Sequence, residues 1–349
     1  MAAIADGNLT LVDWTKLHNP DGKPAKVAKM LSKTDQILDD VVHVEANGTT
    51  HHVTTVETKL PEVYWRQFNQ GIPDSKGTHA QVEEGIGMME TRSRVDKRLV
   101  RIGGNKEALM MRAAQQKVSA MRNEMASTLF YGNSAATAAK FMGFAPRYSS
   151  LSAGNAANII DAGGTSSDNT SIWLVAWGDD SVFCTFPKGS VAGLEMEDLG
   201  EVAVDVYNAA GTATTGRMQA YEQVWNWDAG LVVADWRQVA RICNIDVSDL
   251  VGLTGKQTPI GATSYTTILK KMLTAYYRIE NKDGVRLAFY MNKTAHEGLS
   301  SIAMEKSTSV LRIEEGFSQF GTPRTFTTFM GIPIRECDSI INAEERITA

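Results

Sequence analysis

Few side chains in this sequence are spaced to do chemistry. Gly252-Leu253-Thr254-Gly255-Lys256 has the flavour of a phosphate-cradling loop. Such a loop needs another glycine further upstream and a Ser or Thr after the lysine, where Gln257 stands, so a surface turn is the better reading. No GxGxxG follows a strand, and neither GxSxG nor HExxH occurs. His51 and His52, with His43, could hold a metal ion. Adjacent residues of an extended chain point to opposite faces, however, so a shared ion is not expected. Asp39-Asp40, Asp179-Asp180 and Glu83-Glu84 are neighbours in sequence. They cannot face each other as two-carboxylate catalysis requires, and they read as turns or solvated edges. Cys184, Cys243 and Cys337 are odd in number and far apart, which supports reduced thiols rather than a disulfide framework or zinc ribbon. The sequence therefore predicts no catalytic, metal or cofactor residues and no enzyme.

A second kind of chemistry is surface recognition. Arg92, Arg94, Lys97, Arg98 and Arg101 form a basic cluster, and Tyr64, Trp65 and Phe68 are closely spaced aromatics. Together they could grip nucleic acid by phosphate contacts and base stacking. Glu83, Glu84, Glu90 and Asp96 lie among them, and the whole chain carries a net charge of -5. Ion pairs to an acidic protein surface, and aromatic packing against protein, are favoured.

The 349 residues, 43% hydrophobic and 21% charged, have an ordinary globular composition, which excludes disordered and collagen-like classes. The length suggests two compact units. No long apolar run suits a membrane-spanning helix, and the N-terminus lacks the pattern of a secretion signal.

Residues 1–50 read as an arm. Asn19-Pro20-Asp21-Gly22 is a turn, followed by helix-like spacing of Val27, Met30, Leu31, Ile37, Leu38, Val41 and Val42. Residues 51–95 read as a long two-stranded hairpin. Val63–Gln70 is rich in strand formers, Pro73–Gly77 turns, and His79–Arg94 returns with possible bulges at Gly85 and Gly87. Ten extended residues span about 33 Å, and a lone hairpin is marginal in water, so its faces want an external partner. Lys106–Tyr131 is the clearest helix, a rod of about 39 Å with a stripe of Met111, Ala114, Val118, Met121, Met125 and Leu129. Asn105 could cap its start and Gly132 its end.

Beyond it, Ser171–Gly178 and Ser181–Phe186 read as a hairpin, and Met218–Trp227 with Gly230–Ala234 as another through Asp228-Ala229. Asp235–Cys243 reads as helix. The last third reads as an α/β unit: helix over Tyr265–Arg278, strand Val285–Met291, helix Thr294–Met304 and an edge strand at Gly331–Arg335, where Pro333 cannot donate to a ladder.

An arm, an unsupported hairpin and a long rod placed before globular units suit a chain that packs against copies of itself. The order resembles the major capsid proteins of tailed bacteriophages, of HK-ninety-seven-like fold. Segments similar to a short-tailed-phage subfamily are Leu60–Arg66 with Asn69-Gln70-Gly71, Met125–Asn133, Gly143–Tyr148, Thr170–Val175, Trp227–Leu231 and Phe289–Asn292. The resemblance implies an α+β fold with an N-arm (1–50), an E-loop hairpin (51–95), a peripheral domain (96–249) containing the spine helix (106–131), and an axial domain (250–349). The long strands precede the axial part here, so a permuted connectivity is expected.

The function implied is an icosahedral head-shell subunit enclosing double-stranded DNA, built of pentamers and hexamers in the virion and assembled in the host cytoplasm. Intersubunit contacts are expected at Trp14, Leu17, Tyr64, Trp65, Arg66, Phe68, Arg92 and Arg94. With about fifty residues before the hairpin, the scaffolding protein, if any, is expected to be separate. Portal and cement or decoration proteins are further implied partners, contact with DNA is expected to be weak, and covalent cross-linking through Lys76 is not expected. The alternatives are a soluble α/β enzyme with an unrecognised site and an encapsulin-like compartment shell.

Overall fold

The computed structural model describes residues 35–103, 106–165, 167–207, 214–247, 250, 265–304, 311–317 and 323–348. They begin with a one-turn helix, α1 (Ile37–Asp40), and a short strand, β1 (His43–Glu45). Strands β2 (His51–Lys59) and β3 (Thr78–Gly85) form the hairpin, and β4 (Gly87–Asp96) continues the chain. Helices α2 (Lys97–Gly103), α3 (Lys106–Tyr131) and α4 (Phe144–Arg147) follow. Six strands come next: β5 (Ile159–Asp161), β6 (Asn169–Trp177), β7 (Val182–Phe186), β8 (Glu195–Tyr207), β9 (Thr214–Val233) and β10 (Val239–Asp246). The described chain closes with α5 (Tyr265–Arg278), β11 (Arg286–Met291), α6 (Lys293–Met304), β12 (Leu311–Phe317), β13 (Pro323–Phe329) and β14 (Ile332–Glu336).

The chain divides into two compact units. Among the described residues, the first holds Met88–Met125 and Gly193–Asp228. Its centre is a small cluster in which Leu109 and Met110 of α3 meet Val95, Leu99 and Val100. Its β8 pairs antiparallel with β9 from Glu195↔Asn226 to Tyr207↔Thr214. The second unit holds Lys33–Gly87, Ala126–Ala192 and Ala229–Ala349. There β6 lies between antiparallel β10 and β11, and β14 runs parallel to β11. All nine residues of β6 are buried, as expected of a central strand covered on both faces. Helices α5 and α6 supply Ile268, Leu269, Met272, Ala275, Ala295 and Leu299 to the core beside Ile172, Leu174, Ile242 and Phe289.

The helices over 106–131 and 265–278 fall where the apolar spacing placed them. Several other expectations need correction. The buried face of α3 starts at Leu109 and Met110 rather than Met111, which is exposed, because the cluster around α2 selects the face. Val27, Met30 and Leu31 of the arm pattern lie outside the described residues; Ile37–Asp40 is a single helical turn, Val41 is extended, and β1 then joins β7 in parallel. Val63–Gln70 forms no strand. The ladder closes at Lys59↔Thr78, so no strand opposes this stretch, and Pro61 and Pro73 bound it without N–H donors. The return strand breaks at Ile86 rather than bulging.

Strands β6 and β7 are not a hairpin. They share the single parallel pair Trp177↔Val182, and β7 pairs instead with β1 and β9. No turn occurs at Asp228-Ala229, because β8 pairs with β9 before it and β7 pairs with β9 after it. Asp235–Cys243 is a short 3-10 turn, Trp236–Gln238, capped by the Asp235 carboxylate, and then strand β10. Its apolar residues are buried on both faces, the signature of a central strand rather than of one helical stripe. Strand β14 is internal, between β13 and β11. Pro333 pairs opposite Thr328 of β13, ahead of the Ile334–Glu336 ladder to β11, so its missing N–H falls outside that ladder.

A buried charge cluster pins the last described residues of the second unit. Arg241 and Glu344 meet at 2.8 Å with both side chains 5% exposed. Tyr131 and Ser171 donate their hydroxyls to Glu344, while Arg241 donates to the Tyr148 carbonyl at 2.8 Å and lies over the Trp173 ring. Burial, with the neighbouring Glu344 charge, pushes the Tyr131 hydroxyl well above its usual pKa. Deleting one partner of such a buried pair strands the other charge, a loss of about 3–5 kcal/mol. Glu344→Ala is expected to lower the unfolding free energy by that amount in urea titration, and a change below about 1 kcal/mol would contradict the cluster's role.

Candidate assembly surfaces

The hairpin is held at its root. Glu84, on the last turn of the β3 ladder, is 8% exposed and accepts two bonds from Arg147 of α4, at 2.5 and 2.6 Å. The same guanidinium donates to the carbonyls of Met142 and Leu231 at 3.1 and 3.2 Å. One side chain thus ties β3, the segment before α4 and β9 together. A bidentate, charge-assisted fork of this kind fixes direction as well as distance. His52, paired across from Glu84, packs edge-on against Phe183 with ring centroids 5.5 Å apart. Burial lowers the His52 pKa and the Glu84 charge opposes that shift. Gly230 completes the root. A β-carbon there would lie 2.8 Å from the Thr185 hydroxyl and 3.0 Å from the Gly85 carbonyl, so a larger residue would force strand and hairpin apart.

Among the described residues, nothing packs on the loop at the hairpin's far end. In the loop between Lys59 and Thr78, Trp65 is 102% and Phe68 99% exposed, and Leu60, Val63 and Ile72 are exposed as well. Tyr64 donates to Glu62, which also takes Lys59 at 2.9 Å. The Tyr64 bond, then the Lys59 bond, hold the Glu62 carboxyl below its usual pKa. Asn69, at φ 62, and the Gln70-to-Gln67 backbone bond shape the turn beside Phe68. Arg66 is exposed and has no ion pair among the described residues.

Three members of the basic cluster find carboxylates in their own chain. Arg94 bonds Glu222 at 2.8 Å, Arg92 bonds Glu90 at 2.7 Å and lies 3.8 Å from Glu222, and Lys97 pairs with Glu201. Trp14 and Leu17 lie outside the described residues. His43, His51 and His52 share no site: among the described residues no group of three or more His, Cys, Asp or Glu could hold a metal ion. All three thiols are free and buried, and burial pushes Cys184 up to about 12 and Cys243 up to about 11.

Two features escaped the sequence reading. Glu83-Glu84 read as a turn or solvated edge, yet Glu84 is buried in the Arg147 clamp. The other is a cleft of about 810 Å³ beside the hairpin root, bounded by β2, Asp179, Asp180, Phe183 and Trp236. It joins residues remote in sequence, which no local pattern marks.

Two outcomes follow. Glu84→Ala should raise amide exchange of residues 51–59 and 78–85 at least tenfold with the rest of the chain unchanged; unchanged protection there would refute the clamp. The native chain should also leave all three thiols unreacted with a soluble thiol reagent and expose three on unfolding, and rapid labelling in the native state would contradict their burial.

The major capsid protein GP7 profile matches residues 19–348. A chain in the structure of bacteriophage epsilon15 is 31% identical, with a TM-score of 0.73 and full coverage of both chains. The bacteriophage JBD30 capsid is 10% identical with a TM-score of 0.44, covering 95% of this chain and 99% of that one. The SrpI encapsulin of Synechococcus elongatus PCC 7942 is 11% identical with a TM-score of 0.43, covering 68% and 96%. Likenesses as distant as these last two carry no functional argument. No curated protein sequence matches the chain.

Proposed function

The chain belongs to the major capsid protein GP7 family, and from that premise we propose how its parts build a shell. Membership makes it a structural, non-enzymatic capsid subunit of a bacteriophage, with the α+β, HK-ninety-seven-like fold, working as one of many copies in an icosahedral shell of the virion. The finer reading is that the copies form pentamers and hexamers around packaged double-stranded DNA, and that the hairpin lies across a neighbouring copy.

One observation carries this reading: Trp65 and Phe68 stand fully in solvent at the end of a hairpin clamped at its root. Burying each aromatic removes roughly 150–250 Å² from water, worth about 4–6 kcal/mol at ~25 cal/mol per Å². Association itself costs roughly 4–15 kcal/mol, so one such contact is weak and a closed lattice of them is strong. Tyr64, Trp65, Arg66 and Phe68 are the proposed intersubunit contacts on the hairpin, with Trp14 and Leu17 on the arm. Arg92 and Arg94 would act at the hairpin base, sharing Glu222 with any neighbour.

The domain names extend the same proposal: E-loop hairpin over 51–95, peripheral domain over 96–249 with the spine helix at 106–131, and axial domain over 250–349. These borders follow resemblance along the chain rather than the two compact units. A separate scaffolding protein, a portal and a cement or decoration protein are the proposed partners, and the host bacterial cytoplasm the proposed place of assembly. With a net charge of -5, contact with DNA is expected to be weak and nonspecific.

Expression of the chain, alone and with the scaffolding protein of its phage, followed by gel filtration and negative-stain microscopy, tests the proposal. Closed shells, tubes or capsomer rings are expected. A discrete small oligomer under both conditions would overturn it.

A further inference from the structure

The cleft beside the hairpin root has the features of a receptor. Strand β2 pairs with β3 on one side, and its other edge has no strand partner among the described residues. That free edge forms one wall of the cleft, which holds about 810 Å³. Trp236, exposed at its rim, gives it an apolar surface, and the buried Phe183 floors it beneath His52. Its ionised lining is acidic, with Glu57, Asp179, Asp180 and Asp235 against Lys59 and Arg237. Both cations are already engaged, Lys59 by Glu62 and Arg237 by Asp235. Asp179 and Asp180 are exposed and have no ion pair among the described residues. The cleft thus offers aromatic surface beside two unneutralised carboxylates.

The hairpin tip offers the complement. Trp65 and Phe68 are wholly exposed and flank Arg66, a guanidinium without an ion-pair partner among the described residues. Asp74 and Lys76, further along the loop, offset one another in charge. The cleft follows β2 from His52 to Leu60, and the tip does not occupy it in its own chain, since Trp65 and Phe68 are fully exposed.

We propose that the tip of one copy, Trp65 and Phe68 with Arg66 between them, seats in the cleft at the hairpin root of the next copy. This rests on the shell reading and names the receptor for its hairpin. The aromatics pack on Trp236, and Arg66 reaches Asp179 or Asp180. Tip and receptor lie on different surfaces of one chain, so the contact is heterologous and propagates from copy to copy, closing into a ring where the rotation permits. Because the receptor borders the root that Arg147 clamps, a seated tip also braces the hairpin of the copy that receives it.

Charge reversal with rescue tests this. Arg66→Glu alone, and Asp179→Lys with Asp180→Lys, are each expected to cut particle yield at least tenfold under conditions where the wild-type chain assembles. Combining all three should restore at least half of the wild-type yield. Phe68→Cys with Trp236→Cys should give a ladder of disulfide-linked oligomers on a non-reducing gel, the native thiols being buried. This second measurement decides if the reversed chains fail to fold. Wild-type assembly with neither rescue nor ladder overturns the docking and leaves the shell reading standing. A wild-type chain that forms no particles with or without its scaffolding protein overturns the shell reading, and the docking with it.

Discussion

The organising constraint is an imbalance of surface. The hairpin carries fully exposed aromatic side chains on a ladder of only two strands, which in water stabilises itself marginally. Its root is anchored by a buried guanidinium–carboxylate fork and by a glycine that lets strand and hairpin come within contact. Rigid anchorage with an unsatisfied end is a physical description of a connector. It spares the partner most of the cost of ordering the hairpin, because the fork has already set its direction.

Electrostatics follows the same division. Charges inside each unit are matched at short range: Arg241 with Glu344, Arg335 with Asp40, Arg94 with Glu222. Arg66 at the hairpin's tip and Asp179 and Asp180 beside its root have no ion pair among the described residues. Unmatched charge at a rim chooses register and partner more than it supplies affinity. The apolar tip would supply the energy and the charged residues would select where it lands.

Much of the fold was legible in the sequence, for identifiable reasons. Helices over 106–131 and 265–278 have enough length for a 3.6-residue pattern to stand out. Strands were harder. Asp228-Ala229 looked like a turn, but two different partners hold β9 straight on either side of it. Asp235–Cys243 looked helical, because a strand buried on both faces has no alternation to betray it. Pro333 looked like an edge marker, and it sits just ahead of the ladder it would have interrupted. For the assembly surfaces, Tyr64, Trp65 and Phe68 were visible as closely spaced aromatics, though in a stretch rich in strand formers that the structure leaves as loop. Glu84 with Arg147, and the walls of the cleft, were not, since their partners lie 50 residues or more away along the chain.

The most direct measurement of the central claim is hydroxyl-radical footprinting of Trp65 in the free subunit and in the assembled particle, read by mass spectrometry. The account predicts rapid oxidation of Trp65 in the free chain and protection of at least tenfold in the particle, with Trp173, which is buried within the chain, protected in both. Equal oxidation of Trp65 in the two states, or protection already present in the isolated subunit, would contradict it.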